Sequence, residues 1–448
     1  MKAPAAATLL LGLALLLAGP ATAQTAPPEA HEVAPASGPD PEPAAPDHSA
    51  EPFRWESVAG GYIDPTSVFA LHGYVNGVFA SSSPDWTEPD PTRPGPPGQL
   101  LVPNTDFASF QFDSGIILSS QISPRTAILV EVHAVTDPSG TGAAGPGGLT
   151  LAMTEATASW QMAEDVLRLS GGLYWAPFGT VNKDWLAAQN LFSLMPRASA
   201  AFPVHWNERG VRVDGALSFS EGAGINYVVS YGNGLEVPNI TGQIGYNRND
   251  SMAFVGRVGL FPGLAERLDV GFSFARTRLR EPGEAEFDRP LDDPRHFGAL
   301  IRAQGLDANL RLADATVRSY LIWSSEDLSS TAPEDPNPDD LRHIGFLLEG
   351  VYLLKLSRPV LSVGALAPKV RFDLAQIESL RGGGTEGAVD KGHTVSFGIN
   401  IYPSSEIVES GAYPYRNFFV SLEYHLLREQ TGPQLDNDRF VARITGRF

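Results

Sequence analysis

Charged residues in this chain recur at every second position of short segments, with apolar residues between them. Arg267 and Asp269, for example, alternate with Leu268, Val270 and Phe272. Successive side chains of a β-strand point to opposite faces, so this spacing places the charges on one face and the apolar side chains on the other. Charges of both signs beside water create a field that orders water and biases the passage of ions. These residue types at this spacing therefore indicate an electrostatic role.

The same alternation selects residues for a water-filled interior. A charge facing lipid at mid-membrane depth costs about 2 to 4 kcal/mol, so the charged face must line an interior. The expected lumen wall comprises Arg168, Arg212, Asp214, Arg257, Arg267, Asp269, Glu349, Arg439 and Arg443. Asp113 and Glu131 follow the same pattern. The alternative is that these residues form salt bridges that only stabilise the wall.

Nine histidines and many carboxylates raise the question of catalysis. His133 and His393 fall near the ends of strand-like segments, where a Ser-His or Asp-His pair would have to lie. No G-x-S-x-G motif accompanies them. The acidic run 333–340 is more typical of a solvated loop than of a calcium site. We therefore expect no enzyme activity, no metal and no cofactor.

The elements that would position these charges are strands, each near the ten residues that a tilted transmembrane strand needs. About sixteen segments show the period of two. Their predicted limits are 68–80, 107–122, 125–136, 152–163, 166–175, 208–220, 223–232, 252–262, 266–277, 295–306, 314–324, 342–356, 359–373, 392–403, 414–427 and 437–448.

The connections between these segments alternate in length. Tight turns such as 123–124, 262–265 and 357–359 alternate with long Gly, Pro and Asp-rich loops such as 232–251 and 277–294. Short turns at one rim and long loops at the other are typical of an antiparallel transmembrane β-barrel, with the long loops outside the cell. A soluble β-sandwich shares the strand spacing but has no reason to sort its loops in this way. We predict an all-β barrel of about 16 strands.

The third long loop, Ala176 to Asn207, is unusually apolar. Asp184 can cap a short helix from Trp185 to Met195 that ends at Pro196, and the barrel interior is the nearest place to bury it. Together with the barrel plan and the segment Gly172-Leu173-Tyr174-Trp175-Ala176-Pro177-Phe178-Gly179, this loop resembles the Gram-negative porins, including the phosphate-selective O and P type. The resemblance implies that the third loop folds inward and narrows a pore. The implied constriction residues are Lys183, Asp184, Arg197, His205, Glu208 and Arg209.

The two ends of the chain carry export and assembly signals. Lys2, an apolar run and Ala21-Thr22-Ala23 read as a signal peptide over residues 1–23. Residues 24–60, rich in Pro and Ala, are expected to form a flexible periplasmic leader, and residues 61–448 the barrel. The last strand ends in Phe448, which resembles the terminal aromatic that outer-membrane barrels present to their insertion machinery.

The amino-acid composition rules out some kinds of site and makes some partners unfavourable. The absence of cysteine excludes a disulfide framework and a thiolate metal site, and a formal charge of -19 disfavours nucleic acid. We expect a protein of the bacterial outer membrane that lets small hydrophilic solutes or ions diffuse passively. The expected partners are outer-membrane lipid and lipopolysaccharide, the insertion machinery and a possible homotrimer. The alternatives are an outer-membrane enzyme and a closed structural or adhesive barrel.

Overall fold

The computed structural model describes most of the chain from Ala70 to Arg447. The described residues are 70–82, 109–136, 149–163, 166–179, 191–193, 196–198, 206–220, 223–234, 252–262, 267–278, 300–312, 314–327, 340–360, 363–380, 389–403, 418–430 and 438–447. The predicted signal peptide, the leader and Phe448 lie outside these residues. Those three predictions therefore remain predictions.

Within the described residues the structure is almost entirely strand. The strands are β1 (Ala70–Ser82), β2 (Ser109–Ser123), β3 (Thr126–Thr136), β4 (Leu149–Ala163), β5 (Leu167–Trp175), β6 (Asn207–Ser220), β7 (Ala223–Gly232), β8 (Ala253–Pro262), β9 (Arg267–Arg278), β10 (Leu300–Leu312), β11 (Ala315–Asp327), β12 (Asp340–Tyr352), β13 (Leu354–Val360), β14 (Val363–Leu380), β15 (Val389–Pro403), β16 (Phe418–Glu429) and β17 (Arg439–Arg447).

The strands form one closed antiparallel sheet. β1 pairs with β2 on one side and with β17 on the other, which closes the barrel. β12 and β13 both pair with β14 and are separated only by Leu353, so they form one interrupted barrel strand. The 17 strands thus make a barrel of 16, which confirms the predicted fold. Closure leaves no unpaired sheet edge.

Most predicted strand limits agree with the structure to within three residues, and 223–232 coincides with β7. Two regions differ. β10 continues to Leu312, because the alternation of polar and apolar residues persists past the predicted end at 306. The turn predicted at 357–359 is wrong because β13 runs to Val360, with a register shift between Lys355 and Val360. Such an irregularity is where a strand tolerates proline, here Pro359.

Burial in this barrel is inverted relative to a soluble protein. On β6, Val211 is 50% exposed while the adjacent Arg212 is 8% exposed. On β16, Leu422 is 38% exposed while Glu423 is 2% exposed. The outer face is therefore apolar and the inner face polar, as the alternation predicted. Among the described residues no helix is both long and apolar enough to cross a membrane.

Aromatic residues near strand ends do not all face outward. Phe254, Phe397 and Phe418 are 40 to 49% exposed on the outer face, as a girdle would require. Tyr174 and Tyr402, which also lie near strand ends, are 0% and 2% exposed and lie on the inner face. Strand propensity alone favours aromatics on either face, so the period of two, and not the residue type, decides the direction.

Candidate functional site

The third loop, which connects β5 to β6, enters the barrel. Its described segments are 191–193 and 196–198, and Leu191, Phe192 and Ala198 are at most 2% exposed. These segments contact β14, β16 and β17. Counting round the barrel, β14 is the thirteenth strand and β5 the fifth, so the loop reaches the wall diametrically opposite its origin. The predicted inward fold of the loop is confirmed.

The helix predicted for residues 185–195 of this loop is absent from residues 191–193, the part of it that the structure describes. Residues 191–193 form a bend instead of the end of a helix. The rest of the predicted span, 185–190 and 194–195, lies outside the described residues. In a bend the main chain turns its polar groups outward from the segment, which leaves the carbonyl of Leu191 and the amide of Ser193 available to the wall.

Glu423 is the central wall residue of this contact. Its carboxylate accepts hydrogen bonds from the main-chain amide of Ser193 at 2.8 Å and from the Ser193 hydroxyl at 2.9 Å. Lys369 donates to the same carboxylate at 2.7 Å, and both side chains are 0% exposed. Ser421 and His425 also bind it, at 2.7 and 3.1 Å. One buried carboxylate therefore joins the loop to the wall.

Cations of the wall hold the other side of the loop segment. Lys369 donates to the main-chain oxygen of Leu191, and Arg443 donates to the same oxygen at 3.3 Å. The Phe192 ring lies 4.6 Å from the Lys369 ammonium and 4.5 Å from the Arg371 guanidinium carbon. Cation–π contacts of this kind are strongest where water is excluded, as it is here. We call Lys369, Glu423 and Arg443 the loop anchor.

A second polar contact lies four residues further along the loop than Ser193. The main-chain amide of Arg197 donates to the Asp373 carboxylate at 2.7 Å. Gly392 faces the Arg197 side chain, and a Cβ at this glycine would lie only 2.0 Å from Nη1. A larger residue at this position would displace the end of the flexible Arg197 side chain from its present place against the wall.

Apolar contacts bury both parts of the loop. Near its start and end, Ala176, Phe178, Ala198 and Trp206 pack in one cluster with the inner face of β8 to β12. At its far side, Leu191 and Phe192 pack with apolar residues of β12, β14, β15 and β16. The apolar content of the loop, visible in the sequence, is thus satisfied against the inner wall.

The predicted constriction residues do not all lie together. Arg197 lies inside the barrel at the loop. Glu208, 1% exposed, accepts hydrogen bonds from Trp206 at 3.1 Å and from the amide of Gly234 at 3.2 Å, where the loop rejoins β6. Arg209 shares the outer face with Val211, since the two are separated by two positions on β6, so it does not face the interior. Lys183, Asp184 and His205 are outside the described residues.

The predicted wall residues lie on the inner face in separate ion-pair networks. Arg257 binds Asp307 at 2.6 Å, Asp269 at 2.9 Å and Asn226 at 3.2 Å. This arginine is 2% exposed and its charge is balanced by the two carboxylates. For Arg257 and Asp269, these contacts are those of a wall-stabilising network.

A second network joins β4, β5 and β6. Arg168 donates to Asp214 at 2.8 Å, and Arg212 lies 3.2 Å from the same carboxylate and 4.0 Å from Glu155. The Arg212 guanidinium also lies 5.4 Å from the centre of the Tyr174 ring.

The remaining predicted wall residues lie on β9, β12 and β17. Glu349 binds Arg318 at 3.1 Å and Arg371 at 2.9 Å. Arg443 belongs to the loop anchor, and Arg439 lies half-buried on the same face of β17. The side chain of Arg267 lies outside the described part.

Sequence reasoning left out three residues that contact the loop: Lys369, Arg371 and Asp373. The segment Lys369-Val370-Arg371-Phe372-Asp373 carries the same alternation as the chosen segments, and Val370 and Phe372 are 48% and 39% exposed. The signal that selected the other wall residues was therefore present here too.

One buried histidine, His425, belongs to a hydrogen-bonded series that the sequence did not suggest. His425 forms hydrogen bonds with Ser396 at 2.7 Å and with Glu423 at 3.1 Å, a Ser-His-Glu series. Ser396 is 0% exposed, and the Phe192 ring covers His425 at 6.0 Å. His133 instead binds Glu131 at 2.8 Å. Among the described residues, no three His, Asp or Glu side chains cluster in a way that could hold a metal ion.

Comparisons with known proteins return solved structures of outer-membrane proteins at low sequence identity. No family model matches the chain, and no curated protein matches it. The solved structure of the outer-membrane protein OmpT of Vibrio cholerae is 11% identical with a TM-score of 0.49, covering 85% of this chain and 97% of that one. OmpF of Salmonella typhi, in complex with daunomycin, is 13% identical with a TM-score of 0.49 over 85% and 97% of the two chains. The anion-selective porin of Comamonas acidovorans is 11% identical with a TM-score of 0.48 over 85% and 99%.

Proposed function

We propose that this protein is a channel of the bacterial outer membrane through which small hydrophilic solutes or ions diffuse passively. A closed barrel with an apolar outside and a charged inside is suited to lipid on one face and water on the other. The chain would reach that membrane through its predicted signal peptide, and the trimer remains one possible assembly. No chemical step is needed for this function.

The observation that carries the proposal is the third loop anchored across the interior. A loop bound to the opposite wall divides the cross-section, so solutes must pass beside it. Charges of both signs meet where the loop contacts the wall: Arg371 and Arg443 lie there with Asp373 and Glu423, and Arg197 belongs to the loop itself. A field between such charges favours small polar solutes.

The experiment is conductance of the purified, folded protein in a planar bilayer. Stepwise current increments with a linear current–voltage relation are expected. The control is the substitution Y352F, on the exposed outer face, which should leave the increment unchanged. A folded barrel that inserts into the bilayer without giving any steps would contradict the proposal.

A closed structural barrel is the second candidate, because the inner charges are deeply buried. The side chains of Lys369 and Glu423 are 0% exposed and that of Arg443 is 1% exposed. The two candidates differ in the same bilayer experiment, since a barrel filled by its own side chains would insert silently. Swelling of protein-containing liposomes in sugars of increasing size would give the size limit if a pore is present.

The Ser-His-Glu series keeps an enzyme as a third candidate. Its serine is enclosed by the wall, and Glu423 is shared with Lys369 and Ser193, so these contacts favour a loop-holding role. Ester hydrolysis by the wild type that is lost in S396A, with conductance retained, would support the enzyme.

A further inference from the structure

Three arginines form a row on the outer face of the barrel near its long-loop rim. Arg276 on β9 is the direct cross-strand partner of Arg302 on β10. On the next strands, Ser325 of β11 lies opposite Arg302, and Arg342 of β12 lies opposite Ser325. All three arginines are exposed. We call Arg276, Arg302 and Arg342 the arginine row.

The arginine row forms no close contact with a counterion among the described residues. Neither a hydrogen bond nor an ion pair to another described residue holds any of the three guanidinium groups. Glu378 lies opposite Arg342 at one end of the row, where its carboxylate accepts a hydrogen bond from Gln376. Like charges directly opposite each other on neighbouring strands are destabilising, so the pair Arg276 and Arg302 favours an external anion between them.

The surface below the row changes in a regular way with depth. Two positions nearer the barrel centre lie Phe274, Gln304, Trp323 and Ile344, and the Trp323 indole donates to Gln304 at 2.8 Å. Two positions further in, the side chains are all apolar: Phe272, Leu306, Leu321 and Phe346. The order from rim to centre is therefore cationic, amphipathic and apolar. A lipid with an anionic headgroup has the same order of chemistry along its length.

The row lies at one rim only. The connections at its rim are the long segments 279–299 and 328–339, whereas the other rim of these strands has the short connections 263–266 and 313–314. The exposed Lys355 at the short-turn rim is paired with Asp314 at 2.9 Å. Since long loops of such barrels face the cell exterior, the arginine row meets the outer leaflet of the membrane.

We propose that the arginine row, Arg276, Arg302 and Arg342, binds the phosphate groups of an anionic glycolipid of the outer leaflet, of the lipopolysaccharide class. Strands are about 4.8 Å apart, so the row extends about 14 Å from Arg276 to Arg342 and can contact more than one phosphate. Guanidinium groups bind phosphate through two parallel hydrogen bonds. The acyl chains lie on the apolar residues below. The site rests on the proposed outer-membrane location but not on the pore.

The test compares folded wild type with R276Q/R302Q/R342Q. Binding of purified lipopolysaccharide in neutral detergent is measured by native mass spectrometry, with dephosphorylated lipopolysaccharide and inorganic phosphate as probes. Each basic residue near an anionic surface contributes roughly fivefold, so the triple substitution should weaken binding about 100-fold. R125Q/K355Q, with substitutions at exposed residues of the other rim, is the control and should bind as wild type does.

The outcomes separate the alternatives. Weaker binding only in the triple variant and only for the phosphorylated lipid supports the site. Equal binding by the triple variant and wild type, equal binding of the dephosphorylated lipid, or tight binding of inorganic phosphate alone overturns it. A changed oligomeric state with unchanged lipid binding also overturns it, since the row would then contact a second copy. Conductance of the same proteins reports on the pore separately.

Discussion

Replacing Glu423 with glutamine should release the third loop from the wall. The carboxylate accepts from Lys369 and Ser421 on Oε1 and from the Ser193 amide on Oε2. A glutamine side chain has one accepting oxygen and one donating nitrogen, so whichever way it turns, a donor faces a donor. Lys369 also loses its buried counterion.

The magnitude follows from burial. Removing one partner of a buried ion pair typically costs about 3 to 5 kcal/mol, because the remaining charge is uncompensated. A glutamine at position 423 would still form some of these hydrogen bonds, so the cost should lie at the lower end of this range. We expect E423Q to lower the free energy of unfolding by about 3 kcal/mol. The loop segment should become less tightly bound, and single-channel conductance should increase.

The assay combines urea unfolding of the barrel in lipid with bilayer conductance. E378Q is the matched control, since Glu378 is a half-buried glutamate of the outer face. E378Q should change the free energy of unfolding by no more than about 0.5 kcal/mol and should leave the conductance unchanged. In K369M/E423Q both charges are removed, so the combined loss should fall short of the sum of the single losses by about 1 to 3 kcal/mol. An E423Q protein indistinguishable from E378Q in both assays would refute the anchor.

Three further substitutions test the loop, the backbone and the outer face. F192A should cost about 3 kcal/mol of stability and raise conductance, because the ring is fully buried between two cations; unchanged conductance would contradict this. G172A should impair folding, since its φ is +133° and a Cβ would lie 2.1 Å from a main-chain oxygen, whereas G350A, with 3.9 Å to spare, should fold normally in a refolding yield assay. F272R should cost about 2 to 4 kcal/mol in lipid and S325R, at the rim, about 1 kcal/mol or less; equal costs would argue against a membrane around this face.

Much of the barrel was visible in the sequence because its rules are local. Alternation with a period of two assigns each residue to a face, and the inner position of Arg212, Arg257 and Glu349 follows from their immediate neighbours. The number of barrel strands and the closed sheet follow from repeating that pattern with loops of alternating length. The same alternation continues through Lys369 and Arg371, so the inner position of these two residues also follows from their immediate neighbours.

The sequence by itself determined the fold, the two faces of the wall and the inward path of an apolar loop. Which charges meet was decided by the tertiary structure alone: Glu423 is 230 positions from Ser193 and 54 from Lys369. Those contacts depend on how strands are staggered as the sheet closes and on which wall the loop reaches, and neither leaves a local pattern. For the same reason the arginine row became visible only when the register of β9 to β12 placed distant arginines side by side.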